Sequence, residues 1–301
     1  MNEQPQFESL EPGLLVRAPA KLNLSLLIAG KRADGFHEIE TVMAKIDYFD
    51  EILIQPGTPN NGIELICEGP QWAPDGPENL VYRAAELILK ASKRNDDLRL
   101  VLKKNIPAGS GLGSASSDAA ATLLGLNRYL NLHLDTTTLA HLASKLGSDV
   151  SFFLYGPLSI CRGRGEIVQE LTPFFPFSAL VFLSPINVST KRVYEHYTHS
   201  QALYKSLHNQ IHAHIEKNRI DLVAKMCTNM LAGSCYSLES GLAAQKESLE
   251  SNGVGPICLS GSGSAMFGIF DKGNHSQHVK SSEAIAQSLN YNTIDVRNVK
   301  W

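Results

Sequence analysis

Polar and apolar side chains alternate along Lys21–Ile28 (KLNLSLLI), directly after the short run Val16–Pro19. That period of two is the signature of a strand with one buried face. A turn over Ala29–Gly35 closes it, and Ile39–Ala44, Glu51–Gln55 and Ile63–Cys67 read as further strands, with Pro56–Gly62 as a turn before the last. The period then changes. Asn79–Ala91 places apolar residues at helical spacing behind an asparagine suited to N-capping, and Leu98–Lys103 returns to strand. Alanines and leucines predict a helix over Ser117–Leu130, and a second helix over Thr138–Leu146 ends at Gly147. Val150–Tyr155 and Leu158–Arg162 are short apolar segments.

Pro173–Pro176 reads as a joint and divides the chain into residues 1–175 and 176–301. Beyond it, Ala179–Ser184, Ile257–Leu259 and Ala265–Phe270 predict strands. Leu203–Glu216, Leu222–Leu231, Leu238–Leu249 and Ser281–Gln287 predict helices. Strands and helices mix without regular alternation, so the expected class is α+β rather than a doubly wound sheet. A length of 301 residues suits two domains.

Composition narrows the function. Hydrophobic residues at 43% and charged residues at 19% suit a folded globular enzyme. A net charge of −3 argues against a nucleic-acid backbone as the main partner, because that role needs a dense basic face. No apolar run approaches the ~20 residues that span a bilayer, and Met1–Pro12 is polar and acidic, so no membrane partner and a cytoplasmic location are expected. Cys67, Cys161, Cys227, Cys235 and Cys258 are odd in number and lack metal-type spacing, which predicts reduced core thiols.

The stretch Asn105–Asp118 lies between an expected strand and an expected helix and holds three glycines and four serines. Glycines let successive N–H groups point into one concavity, and a helix N-terminus adds unpaired N–H groups and partial positive charge, so the stretch suits a phosphate. Ser116 or Ser117 could also face a magnesium ion, and Asp118 either orients the loop or caps its helix. No Gly-Lys-Ser/Thr follows, which excludes a Walker A loop, and Ser114 stands where a dinucleotide fingerprint needs glycine.

The loop, Pro107-Ala-Gly-Ser-Gly-Leu-Gly-Ser-Ala-Ser-Ser117, resembles the central motif of the GHMP kinases, and Ala18–Leu24 and Leu259–Ala265 resemble that family's flanking motifs in the right order. The resemblance implies an N-terminal domain like ribosomal protein S5 domain 2 and a ferredoxin-like C-terminal domain. It also implies ATP and Mg2+ as cofactors, with ATP held by Pro107, Ala108, Gly109, Ser110, Gly111, Leu112, Gly113, Ser114, Ala115, Ser116 and Ser117. Pro19–Leu26, Lys31–Glu38, Gly147–Phe152 and Arg162–Glu166 are similar to one branch of the family. That branch phosphorylates the 2-hydroxyl of a cytidine-diphosphate-linked methylerythritol, a small molecule of the non-mevalonate isoprenoid route. Three departures stand out: the loop has Ser110, Ser114 and Ala115 where the family is richer in glycine, Ser151 replaces a proline, and Phe36 replaces a tyrosine.

Site residues follow from the same resemblance. Asp149 matches a general base, a carboxylate that accepts the proton of the attacking hydroxyl. Lys21 lies on the first strand, placed to stabilise charge at the reacting oxygens, and Asn23, on the same face, matches a substrate-binding residue. Phe36, His37 and Tyr194 match a cytosine site of stacking rings and a hydrogen-bonding edge, and Thr190 matches a substrate contact from the second domain. Gly261 and Ser262 form a second small-residue loop, read as a contact to the substrate diphosphate, as part of the closing of the active site, or as a tight turn. The magnesium ligands stay unassigned. His196, His199, His208, His212 and His214 read as a solvated polar face rather than a metal cluster. The chain is expected as a monomer or homodimer. The alternatives are a GHMP kinase with another acceptor, a nucleic-acid-binding module, and a nicotinamide oxidoreductase.

Overall fold

The computed structural model describes residues 4–172, 174–270 and 275–301, so Pro173 of the expected joint lies outside the described residues. The first half runs β1 (Phe7–Leu10), β2 (Gly13–Lys31), β3 (His37–Pro56), β4 (Ile63–Glu68), α1 (Leu80–Ala91), β5 (Leu98–Lys103), α2 (Ser114–Tyr129), α3 (Thr136–Ala143), β6 (Leu158–Gly163) and β7 (Ile167–Glu170). The second runs β8 (Ser178–Leu183), α4 (Thr190–His196), α5 (Gln201–Glu216), α6 (Ile220–Lys225), β9 (Thr228–Asn229), α7 (Ala232–Leu238), α8 (Ser240–Ser251), β10 (Cys258–Leu259), β11 (Met266–Phe270), α9 (His275–Ser288) and β12 (Asn292–Arg297). The class is α+β, as the unalternating pattern predicts.

The antiparallel pair β2 and β3 is the spine of the larger sheet. One end of β3 pairs with β5 and the other with β6, while β2 carries β1 and, near Ser25, the short β9 from the second half. The pattern predicts two pieces in each of these strands, but the register slips at Pro19/Ala20, Asn23/Ser25 and Ile28/Gly30 let each continue as one bent strand. Bulges bend a strand and re-aim its side chains, and the first two bracket Lys21 and Asn23. The smaller sheet is antiparallel, in the order β10-β11-β8-β12. Val16, Ile52 and Ile54 pack with the buried faces of α1 and α2 in one core, and Leu24, Val181 and Phe267 belong to a second core that unites the two halves.

Asn79 caps α1 as its position predicts, its side chain accepting from Val81 N at 2.9 Å, worth about 1 kcal/mol. Other expectations need correction. The helix expected over Leu222–Leu231 stops at α6 and gives way to β9, because Cys227 turns through a left-handed φ of 47°. The short apolar segment Val150–Tyr155, whose pattern predicts no element, holds a 3₁₀ turn over Ser151–Leu154. The helix expected to end at Gly147 ends at Ala143, after Asp135 caps its start. The thiols are not all reduced: Cys227 and Cys258 form a disulfide with Cα atoms 5.0 Å apart, leaving Cys67, Cys161 and Cys235 free. Their sequence separation of 31 gives no hint that the end of α6 meets β10. No helix among the described residues is long and apolar enough to cross a membrane.

Candidate active site

The helix expected from Ser117 begins at Ser114, so Ser114, Ala115, Ser116 and Ser117 form the first turn of α2 rather than loop. The left-handed residues of the loop are Gly109, Gly111 and Gly113, with φ of 69°, 81° and 75°. Ser110, Ser114 and Ala115 are not among the positive-φ residues, so the chain keeps glycine where the backbone demands it and the departures carry no strain. At Gly111 a Cβ would sit 2.2 Å from Ser260 O, and at Gly113 it would sit 2.9 Å from the Lys21 and Phe153 side chains. Both positions therefore exclude any larger residue. Lys21 N donates to Leu112 O at 2.9 Å and Ala265 N to Ser110 O at 2.8 Å, pinning the loop between β2 and the Gly261 turn.

A buried polar cluster holds the loop from beneath. Lys104 Nζ lies 2.5 Å from Asp50 Oδ2 and 2.7 Å from Asp118 Oδ2, and donates to Ser114 Oγ. Asp50 Oδ1 accepts from Asn105 N at 2.6 Å and Ile106 N at 2.8 Å. Burial opposes the Lys104 charge, but Asp118 and Asp50 outweigh it and raise its pKa. Burial, and then the charge of Asp50, push Asp118 well above the usual carboxylate range, since two carboxylates share one ammonium. Asp118 thus orients the loop and does not cap the helix.

These elements wall a cavity of about 990 Å³. The loop and first turn contribute Gly109, Ser110, Gly111, Gly113, Ser114, Ala115 and Ser116 to its lining. Pro107, Ala108, Leu112 and Ser117 do not line it: Leu112 is core, Pro107 O accepts from Ser110 Oγ at 2.7 Å, Ala108 is exposed to solvent, and Ser117 is fully buried. Ser117 Oγ has no protein partner.

At the centre, Lys21 Nζ donates to Asn23 Oδ1, and Asn23 Nδ2 donates to Thr41 Oγ1 at 2.8 Å. Lys21 is 3% exposed; burial lowers its pKa while the charge of Asp149 pulls it back up. Asp149 lines the same cavity, just before the 3₁₀ turn, with Oδ1 3.2 Å from where a Cβ on Gly165 would lie. Cys161 sits near both charges, and burial, then Asp149, push its thiol far up, so it stays protonated.

Across from Gly113, the second small-residue loop closes on the centre. A Cβ on Gly261 would stand 3.3 Å from Asn23 Oδ1 and 3.4 Å from Lys21 Nζ, and Ser262 Oγ meets Thr190 Oγ1 at 2.7 Å. The other end of the cavity is aromatic. His37 faces Tyr194 with ring centroids 5.2 Å apart, and Arg164 lies 5.1 Å over the ring of Phe36. Burial, then the charges of Lys31 and His199, lower the His37 pKa, so at neutral pH its ring offers one donor and one acceptor nitrogen. Burial, then Asp149, push the Tyr194 phenol upward.

The structure adds residues that the sequence reading passes over. Tyr197 meets His37 edge-on at 6.0 Å, one helical turn after Tyr194. Ser260 Oγ donates to Gly111 O at 2.9 Å, tying the two loops together. Arg164, inside the family-like segment Arg162–Glu166, and Lys191, between Thr190 and Tyr194, also line the cavity. The histidine run also needs correction: His208 and His212 do not lie on a solvated face but turn onto the buried Glu40.

The chain matches the GHMP kinases N terminal domain over residues 79–157 and the GHMP kinases C terminal domain over residues 211–282. A homoserine kinase from Cytophaga hutchinsonii shares the fold at a TM-score of 0.75 and 19% identity, covering 99% of this chain and 98% of that one. Fold and loop therefore define a GHMP kinase, an enzyme that transfers phosphoryl groups to an alcohol.

The narrower family follows from closer relatives. The chain is 35% identical over 256 residues to the 4-diphosphocytidyl-2-C-methyl-D-erythritol kinase of Clostridium botulinum (strain Eklund 17B / Type B), covering 85% of this chain and 90% of the relative. It is 37% identical over 257 residues to the enzyme of that name from Bacillus velezensis, covering 85% and 88%. A crystal structure of 4-(cytidine 5'-diphospho)-2C-methyl-D-erythritol kinase aligns at a TM-score of 0.72 and 30% identity, covering 94% of this chain and 99% of that one. The chain belongs to the 4-diphosphocytidyl-2-C-methyl-D-erythritol kinase family.

Proposed function

We propose that this enzyme uses ATP to phosphorylate the 2-hydroxyl of 4-diphosphocytidyl-2-C-methyl-D-erythritol, acting in the cytoplasm as a monomer or homodimer. The observation that carries the reading is that one cavity holds a phosphate-type loop, the Lys21–Asn23–Asp149 centre and the His37–Tyr194 ring pair. The division into residues 1–175 and 176–301 is part of the proposal, with the cavity between a loop from the first unit and Thr190, Tyr194 and Ser262 from the second.

The unpaired N–H groups of the α2 first turn and the glycine loop hold the phosphates, and the helix terminus favours their charge. Ser116 and Asp149 bring a hydroxyl and a carboxylate to the cavity, hard oxygen donors suited to Mg2+, whereas the unpartnered Ser117 Oγ at the same turn is buried away from it. Bound with the nucleotide, Mg2+ would neutralise phosphate charge.

Asp149 accepts the proton of the acceptor hydroxyl and orients it for in-line attack. Lys21, kept in place by Asn23, stabilises negative charge on the reacting oxygens. Tyr194 and His37 stack on the cytosine, whose edge the neutral His37 ring can bond, while Phe36 under Arg164 extends the apolar surface. Thr190 and the Gly261–Ser262 turn contact the substrate diphosphate.

The test is ATP-dependent phosphorylation of 4-diphosphocytidyl-2-C-methyl-D-erythritol beside homoserine, mevalonate and galactose, all with magnesium. Turnover of the cytidine compound alone is expected. Turnover of another acceptor in its place would remove the base site from the account.

A further inference from the structure

Away from the cavity, Glu40 on β3 meets α5. His208 Nδ1 lies 2.9 Å and His212 Nε2 3.0 Å from the same oxygen, Glu40 Oε1, and the two ring centroids are 4.1 Å apart. The other oxygen, Oε2, accepts from Arg162 Nε at 2.9 Å. We propose that Glu40, His208 and His212 form a binding site for a borderline divalent cation of the Zn2+ class, separate from the nucleotide site.

Three features carry the assignment. His208 and His212 are four residues apart on α5, one above the other on a single face, so the helix itself sets their spacing. The donor atoms, two imidazole nitrogens and one carboxylate oxygen, all lie within 4.8 Å of one another, a set that closes around an ion with ligand distances of about 2.0–2.2 Å. Third, the site is oriented. Arg162 holds one carboxylate oxygen, and its own Nη1 donates to Gln169 Oε1 at 3.0 Å, so Glu40 presents its remaining oxygen to the rings. The Glu40 side chain is 7% exposed, whereas the His208 and His212 side chains are 33% and 27% exposed. The rings thus leave room for water at a fourth position, as in three-ligand zinc sites.

The donor set also selects the ion. Two nitrogens and a single carboxylate suit Zn2+, Co2+ or Ni2+, whereas Mg2+ prefers an octahedral set of oxygens. An ion here would join a helix of the second half to the strand that carries His37 and Thr41, three residues before and one after Glu40. Binding to the folded chain alone would raise its stability by mass action.

The experiment uses the full chain, stripped with chelator and titrated with Co2+ as a coloured probe, then with Zn2+ in competition. One equivalent of Co2+ should show nitrogen- and oxygen-ligated visible bands that Zn2+ abolishes and excess Mg2+ does not, and Zn2+ should raise the Tm. His208→Gln and His212→Gln keep an amide donor toward Glu40 and should each lose the bands and the Zn2+ shift, with MgATP-dependent turnover unchanged. Absence of the bands in the wild type, their survival in both variants, or displacement by Mg2+ at matching concentration would overturn the proposal.

Discussion

On the phosphate-loop wall, Lys104, Ser114 and Asp118 are buried and hold one another, and Ser260 fastens Gly111 from the other side. On the wall proposed to hold the base, Phe36 is 53% exposed and His37 meets Tyr194 at a tilt and Tyr197 edge-on. Phosphoryl transfer rests on positioning and fixed electrostatics, so the first wall is built to stay put. Recognition of a flat base needs area and one or two directional bonds, which half-exposed rings provide with less backbone constraint. Lys21 and Asp149 lie between the two.

The comparison breaks most visibly at its centre. Asp149→Asn should lower kcat about 10²–10⁴-fold while ATP binding, followed by nucleotide titration, stays close to wild type. Next in size is the wall beneath the loop. Lys104→Met leaves Asp50 and Asp118 buried without a cation, and chemical denaturation should register a loss of about 3–5 kcal/mol.

Lys45 tests the same wall through pH. Its Nζ donates to Phe153 O at 3.1 Å and Tyr155 O at 2.6 Å, bracing the segment that follows Asp149. Burial, against the weaker pull of Glu170, takes its pKa from 10.5 to about 7. Between these values the unfolded chain binds more protons than the folded one, so stability rises with pH through that window, and the full penalty is present below it. Relative to Lys45→Met, wild-type stability should climb between pH 7 and pH 10, by on the order of a few kcal/mol. A constant difference across those pH values would contradict the assignment.

The smallest effect belongs to the other wall. Tyr194→Ala removes one stacking surface, worth about 1–3 kcal/mol, and should raise KM for the cytidine substrate while KM for ATP holds. An increase in KM for ATP alone would reverse the roles of the two walls.

What the sequence made legible was local. The glycines at 109, 111 and 113 mark the backbone positions that need a left-handed φ, so the loop was readable from residue types before any fold existed. Lys21 and Asn23 shared a face because a strand has a period of two. The missed features are all meetings of distant segments. Glu40 and His212 are 172 residues apart in the chain, and only the packing of α5 over β2, next to β3 in the sheet, makes them partners. The Cys227–Cys258 bond and the Ser260–Gly111 contact, 149 residues apart, depend on the same kind of apposition. Tyr197 was within reach, since it follows Tyr194 at helical spacing. The bend that makes β2 and β3 continuous hid behind a pattern that breaks at each bulge.

The most direct test of the account is steady-state kinetics of Lys21→Met with both substrates. Lys21 sits between the walls: its ammonium bonds Asn23 and feels the charge of Asp149, while only its backbone N–H, donating to Leu112 O at 2.9 Å, is hydrogen-bonded to the phosphate loop. The account predicts a kcat lower by about 10²–10⁴-fold with KM for ATP and for the cytidine substrate near wild type. Wild-type turnover, or an effect confined to either KM, would contradict it.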